Sequence, residues 1–415
     1  MSIQLRLTIM SFLQFFVWGA WLITIGVYWF ENKIGTATEF GAIFSTMGLA
    51  SLVMPTLSGI IADKWINAER LYALLHLLYG VALVYLTQVT DPNLFFWIML
   101  AAMFCYMPTI ALSNAIAYSV LQKNNLDVVK YYPPIRVWGT VGFIAAMWIT
   151  NLSGNKATEG QFYIAAIGAF ALGAYALTLP ASPPMRISDK SKSFSEAIGL
   201  KAFKLFSDYK MALFFVFSMF LGAALQLTNM YGDTFLSHFG EYPEYADSLI
   251  VKNSTIVMSI SQISETLFIL AIPFFLKKFG IKQVMLISML AWVLRFGLLA
   301  YSDPAGGLWM IIMSCIIYGM AFDFFNISGS LFVETNTSPA IRSSAQGMFM
   351  MMTNGFGAIL GSYASGYAIE HFLTDPNGNM MWTEIWLCFA FYSLIIAFLF
   401  SFLFKHKHTR TDEIT

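Results

Sequence analysis

The chain has 415 residues, of which 58% are hydrophobic and 11% charged, and its formal net charge is zero. Soluble domains carry about 25% charged residues to keep their surfaces wetted, so a water-soluble fold is excluded. A balanced charge also removes any electrostatic case for nucleic acid or an acidic partner.

A helix that crosses a bilayer needs about twenty mostly apolar residues. Such runs are predicted at 6–30, 40–62, 70–90, 94–121, 136–153, 161–180, 210–236, 253–276, 281–301, 308–333, 343–369 and 382–404. The first follows Arg6 and is succeeded by many like it, so a spanning helix is expected there rather than a signal peptide. The basic residues test the count. With the amino terminus inside, the inner loops hold Lys64 and Arg70, then Lys123, Lys130 and Arg136, then Arg186, Lys190, Lys192, Lys201 and Lys204, then Lys277, Lys278 and Lys282, then Arg342. The outer loops hold Lys33, Lys156 and Lys252. That asymmetry predicts cytoplasmic termini at both ends.

The longest connection, 181–209, carries Pro183-Pro184 and most of the basic residues. It separates a six-helix bundle over 1–180 from a second over 210–404, with 405–415 as a cytoplasmic tail. The expected fold is therefore an all-α membrane protein of twelve transmembrane helices in two six-helix halves, an architecture common among secondary transporters. Cys105, Cys315 and Cys388 lie in apolar runs without metal-ligand spacing and are expected to be small buried hydrophobes. His406 and His408 lie in the basic tail and are expected to be solvated. No metal and no organic cofactor is expected.

Polar groups in hydrocarbon are costly, and those kept there usually face a cavity or a partner. Within the fifth run, PPIRVWGTVGF (133–143) puts Arg136, Thr140 and Phe143 on one helical face, with the proline pair expected at the helix start. Arg136 lies near the inner surface, where a charged gate and a ligand contact are both open. The seventh run has Gln226 and Asn229, the eighth Gln262 and Glu265, the tenth Asp323 and Asn326, each pair three apart and so on one face. Packing by interhelical hydrogen bonds is the competing role for each pair. Amides donate and accept, so they can read hydroxyls and the nitrogens and carbonyls of a ring. Phe322, Phe324 and Phe325 offer flat faces. A neutral, polar, partly aromatic solute fits this set. Burial disfavours an ionised carboxylate, so Glu265 and Asp323 are candidate proton-exchange sites. Arg295 is expected to be an intramembrane ion-pair partner. Gly355, Gly357, Gly361 and Ser365 in the eleventh run have the pattern of close helix packing.

GIIADKWINAER (59–70) resembles the loop between helices two and three of the major facilitator superfamily, through Gly59, Asp63, Lys64 and Arg70, although Trp65-Ile66-Asn67 departs from the usual glycine-containing turn. SFLQFFVWGAWLITIG (11–26), IADKW (61–65), PPIRVWGTVGF (133–143), SISQISETLFIL (259–270), IPFFLKKFGIK (272–282) and AFDFFNISGSLFVE (321–334) together resemble the bacterial nucleoside:proton symporters of that superfamily over essentially the whole chain. The resemblance implies the major facilitator fold and proton-coupled nucleoside uptake across the bacterial inner membrane by alternating access, with protons as coupling ion. Lipid is the expected surroundings and a monomer the expected working unit. It implies that Gln226, Asn229, Gln262 and Glu265 meet the nucleoside, joined by Thr140 and Phe143 of the other half, with Tyr318 and Phe322 lining the cavity and Asp323 coupling the proton. Proton symport of a sugar or another neutral polar solute is the alternative, since amides and aromatics also suit saccharides.

Overall fold

The computed structural model describes residues 2–184, 200–338 and 341–406. The linker residues Arg186, Lys190 and Lys192, and the tail beyond His406 with His408, lie outside them. Apart from an isolated bridge between Thr374 and Met380, the regular structure of the described residues is helical. The chain forms two compact units, Met1–Ile198 and Gly199–Thr415.

The first unit contains α1 (Ile3–Gly19), α2 (Ile25–Glu31), α3 (Ala37–Lys64), α4 (Ala68–Leu86), α5 (Pro92–Lys123), α6 (Val128–Leu152) and α7 (Gly160–Ala176). The second contains α8 (Tyr209–His238), the short α9 (Leu249–Lys252) and α10 (Ser254–Met258), α11 (Ile260–Ala300), α12 (Leu308–Asn336), α13 (Arg342–Met350), a π-helical segment (Met351–Gly357), α14 (Ala358–Phe372) and α15 (Trp382–Leu403). Among the described residues, eight helices are long and apolar enough to cross a membrane. One of these is two spans joined end to end: α11 is broken at Gly280, whose φ of 77° and ψ of 168° leave the helical region at a residue with no Cβ to resist. With the shorter apolar helices α1 and α7, and the run from α13 through the π segment to α14, the twelve predicted spans are accounted for among the described residues. Large apolar side chains line the outside, such as Ile167 at 70% and Leu270 at 77% exposure. Lipid tails accept such a surface; water does not.

Some boundaries differ from the sequence reading. The first run is not one helix: it turns at residues 20–24, where the Thr24 hydroxyl donates to Gln161 Oε1 at 2.9 Å. The proline pair does not start the fifth span. α6 begins at Val128, so Pro133 and Pro134 lie inside it. The carbonyls they leave without an amide belong to the helix's first turn, at its end, where other donors can reach them. Two expectations about exposure also fail. His406 is half-buried, its Nδ1 2.8 Å from Lys210 Nζ and its ring against Phe332. Cys388 is exposed, because the outer face of an apolar helix meets lipid rather than core.

The core of the first unit is a hydrogen-bonded polar chain wrapped in aromatics. Gln14, fully buried, donates to Thr109 Oγ1 (2.9 Å), accepts from the Tyr72 hydroxyl (2.5 Å), and its carbonyl takes the Tyr106 hydroxyl (2.8 Å). Trp21 donates to Tyr79 at 2.7 Å, and buried His76 has Nδ1 3.0 Å from the Tyr72 carbonyl. These bonds join α1, α4 and α5 where no water competes. Glu69 at the start of α4 accepts from the Ser182 amide at 2.8 Å, which anchors the chain as it leaves the unit.

Small residues let helices touch backbone to backbone. A Cβ on Gly142 would overlap the Phe12 carbonyl, and one on Gly19 the Phe143 carbonyl, so α1 and α6 are in close contact. In the second unit Gly222 lies on the Thr353 carbonyl, Gly357 on Met219 and Gly361 on Ala223, which bears out the packing role read for Gly357 and Gly361. Gly222→Val is therefore expected to lower stability by about 1–3 kcal/mol through overpacking, seen as a fall in melting temperature in detergent. Gly297→Ala, where a Cβ would meet nothing within 4 Å, is expected to leave it unchanged or slightly raised.

Candidate functional site

Within the second unit, α11 and α12 run against each other, and Gly319 makes this possible: a Cβ there would press on the backbone at Ser264 and Glu265. The same contact carries a hydrogen bond from the Ser264 hydroxyl to the Ile316 carbonyl. Close backbone approach at that level places the polar residues of the two helices side by side.

Tyr318 is the centre of the resulting cluster. Its ring is stacked on Phe322 (centroids 6.1 Å, planes 13° apart) and meets Trp292 edge-on at 5.9 Å. The guanidinium of Arg295 lies over it at 4.8 Å. Its hydroxyl is beside Gln262 and within electrostatic reach of Glu265, Arg295 and Asp323. Glu265 and Asp323 lie within electrostatic range of one another. Asp323 is 3% exposed, and its Oδ2 has no hydrogen-bond partner among the described residues. Gln262, Glu265 and Phe322 are half-buried.

Arg295 corrects one expectation. Fully buried, it donates from Nη1 to the Ser314 carbonyl (2.6 Å) and Ser261 Oγ (3.4 Å), and from Nε to Thr228 Oγ1 (3.3 Å). These partners and the Tyr318 ring are neutral, where an ion pair was expected. Cation–π attraction is strong for a desolvated guanidinium, so the residue braces Tyr318 and ties α8 to α11 and α12.

Gln226 and Asn229 flank Thr228 on α8. Gln226 is buried with Oε1 unpartnered among the described residues, and Asn229 is half-buried. In the first unit, the Arg136 guanidinium covers the Phe15 ring at 3.9 Å, and Phe143 packs edge-on against Trp18 at 6.2 Å. Thr140 is half-buried one turn from Arg136.

Sequence reasoning passed over two features. Asp233 on α8 is fully buried and accepts from the Thr255 hydroxyl at 2.9 Å; a carboxylate within an apolar run was the available signal. Thr353 and Asn354 in the π segment line a cavity of ≈ 350 Å³ with Phe322, Phe325, Asn326 and Trp292. That stretch reads as a packing motif because of its glycines, although its Thr-Asn pair was visible.

Among the described residues, no group of three or more His, Cys, Asp or Glu could hold a metal ion. The arrangement is two neighbouring carboxyls, one of them sealed from water, beside amides and stacked rings. It can exchange a proton and hold a flat polar solute; it has no nucleophile–base pair.

The known relatives agree with that chemistry. The nucleoside permease NupG of Escherichia coli K12 is 51% identical over 416 residues, covering 100% of this chain and 99% of the relative. The xanthosine permease of the same organism is 51% identical over 411 residues, covering 98% and 97%. The crystal structure of the nucleoside transporter NupG superposes with a TM-score of 0.92 at 50% identity, covering 98% of this chain and 100% of that one. The profile of the nucleoside H+ symporters matches residues 1–409. The chain is a member of the nucleoside H+ symporter family, a transporter of the major facilitator fold and not an enzyme.

Proposed function

We propose that this protein takes up nucleosides with protons across the bacterial inner membrane by alternating access, with both termini cytoplasmic, as a monomer embedded in lipid. The moving bodies are the bundles 1–180 and 210–404, joined by the linker 181–209. Membership of the family and the cluster around Tyr318 support this reading.

In the C-terminal bundle, Tyr318 and Phe322 offer a stacked aromatic surface to the base, and Gln226, Asn229, Gln262 and Glu265 supply donors and acceptors to base and ribose. Arg136, Thr140 and Phe143 are the N-terminal bundle's contribution, with Arg136 held over Phe15 as a gate or a contact. Asp323 carries the coupled proton, with Glu265 beside it. An unpaired carboxylate is costly when sealed from water, so Asp323 carries charge only while the pathway is open to one side. Loading from outside and unloading inside then follow the opening of each gate. No organic cofactor takes part.

The experiment is uptake of labelled uridine into proteoliposomes, with adenosine and a disaccharide as competitors and a protonophore as control. Both nucleosides are expected to compete, the disaccharide is not, and the protonophore is expected to abolish accumulation. Competition by the disaccharide alone would establish the sugar reading instead.

A further inference from the structure

The ≈ 350 Å³ cavity of the C-terminal unit is walled by α8, α11, α12 and the π segment. Trp292, Phe322 and Phe325 give it flat apolar walls; Asn326, Thr353 and Asn354 give it polar ones. The Thr353 hydroxyl is occupied, donating to the Phe349 carbonyl at 3.0 Å. Asn354 is not so engaged: its amide nitrogen reaches the Met350 sulfur at 4.0 Å, the limit of a weak contact. The two asparagine amides are thus the cavity's available hydrogen-bonding groups.

The backbone explains why Asn354 is there. A π turn holds more residues than an α turn and rotates the downstream residues around the axis; such segments concentrate at functional sites. The distorted segment is seated on α8 at Gly222, whose bare Cα lies against the Thr353 carbonyl. A larger residue at 222 would push the segment away.

We propose that this cavity is the base pocket of the nucleoside site, and that Asn326 and Asn354 read the edge of the base and so set base preference. This rests on the nucleoside reading of the protein's function. The aromatic walls suit the two faces of a planar heterocycle. An asparagine amide presents a donor and an acceptor side by side, the pattern that engages adjacent ring and exocyclic groups of a base.

The test is calorimetric binding of uridine, 2′-deoxyuridine, inosine and xanthosine to the purified full chain and to Asn354→Ala, Asn354→Asp and Asn326→Ala. Asn354→Asp keeps the side-chain shape while removing its donors, and carries the test if the alanine variant does not fold; melting temperatures identify that case. The expected result is a shift of at least about fivefold in the uridine-to-xanthosine or uridine-to-inosine affinity ratio. The uridine-to-2′-deoxyuridine ratio is expected to stay within about twofold, since the sugar is read elsewhere. Affinities that all change by one common factor, or a change confined to the deoxy pair, overturn the base pocket. A wild-type protein that binds none of the four overturns the nucleoside reading itself, which is a distinct outcome.

Discussion

Asp323→Asn is expected to abolish concentrative uptake while leaving exchange between equal nucleoside concentrations largely intact. One proton moving through 100 mV supplies about 2.3 kcal/mol, enough for a roughly 50-fold accumulation of a neutral solute. An amide cannot carry that proton, so the plateau should fall from tens-fold to near one. Asparagine keeps the shape of the buried side chain, and Asp323 Oδ2 makes no hydrogen bond among the described residues that the change would break. The fold and the binding surface should therefore survive. The measurement is paired: gradient-driven uptake and counterflow on the same proteoliposomes. Equal loss of both modes would place Asp323 in binding or folding, and its neighbour Glu265 would then be the leading candidate for the proton.

The second large effect concerns the amides. Gln262→Ala and Asn229→Ala are each expected to weaken nucleoside binding by about 1–3 kcal/mol, because the solute would leave water for a site where one of its polar groups finds no partner. That corresponds to roughly 5- to 150-fold in affinity. Gln262 sits beside the Tyr318 hydroxyl, so its loss also frees that group; Asn229 is half-buried on α8 and its loss should act on the solute alone. Titration calorimetry on purified protein reads both. Unchanged affinity in the two variants would remove these residues from the site, whereas a matching fall in melting temperature would assign them to packing.

The location of the polar pairs was legible because a membrane helix has few reasons to keep an amide or a carboxylate. Gln262, Glu265 and Asp323 stand out against an apolar background, and the three converge on Tyr318. Their convergence was not legible from spacing. It depends on Gly319 letting α11 and α12 approach at Ser264, a contact between residues 55 positions apart in a chain where many other glycines do nothing comparable. Arg295 shows the same limit. A lone guanidinium in an apolar run announces that something neutralises or solvates it, but whether this is a carboxylate, a carbonyl or a ring is decided by the neighbouring helix.

The amino-acid sequence by itself determined the class, the span count and the family. In a bilayer core every backbone group must be paired, which leaves helices or closed barrels; apolar runs of about twenty residues are too long for barrel strands, so twelve of them give twelve helices. Long contiguous motifs such as SISQISETLFIL and AFDFFNISGSLFVE carry the kinship directly. Only the tertiary structure decided where helices break and what each break aims. The turn at residues 20–24, the helix that starts ahead of Pro133-Pro134 and the π segment that carries Asn354 all run through sequence that reads as ordinary apolar helix or loop. Hydropathy records how much a residue dislikes water, averaged over a run. A break depends on which atoms stand opposite a few backbone groups, and those atoms come from elsewhere in the chain.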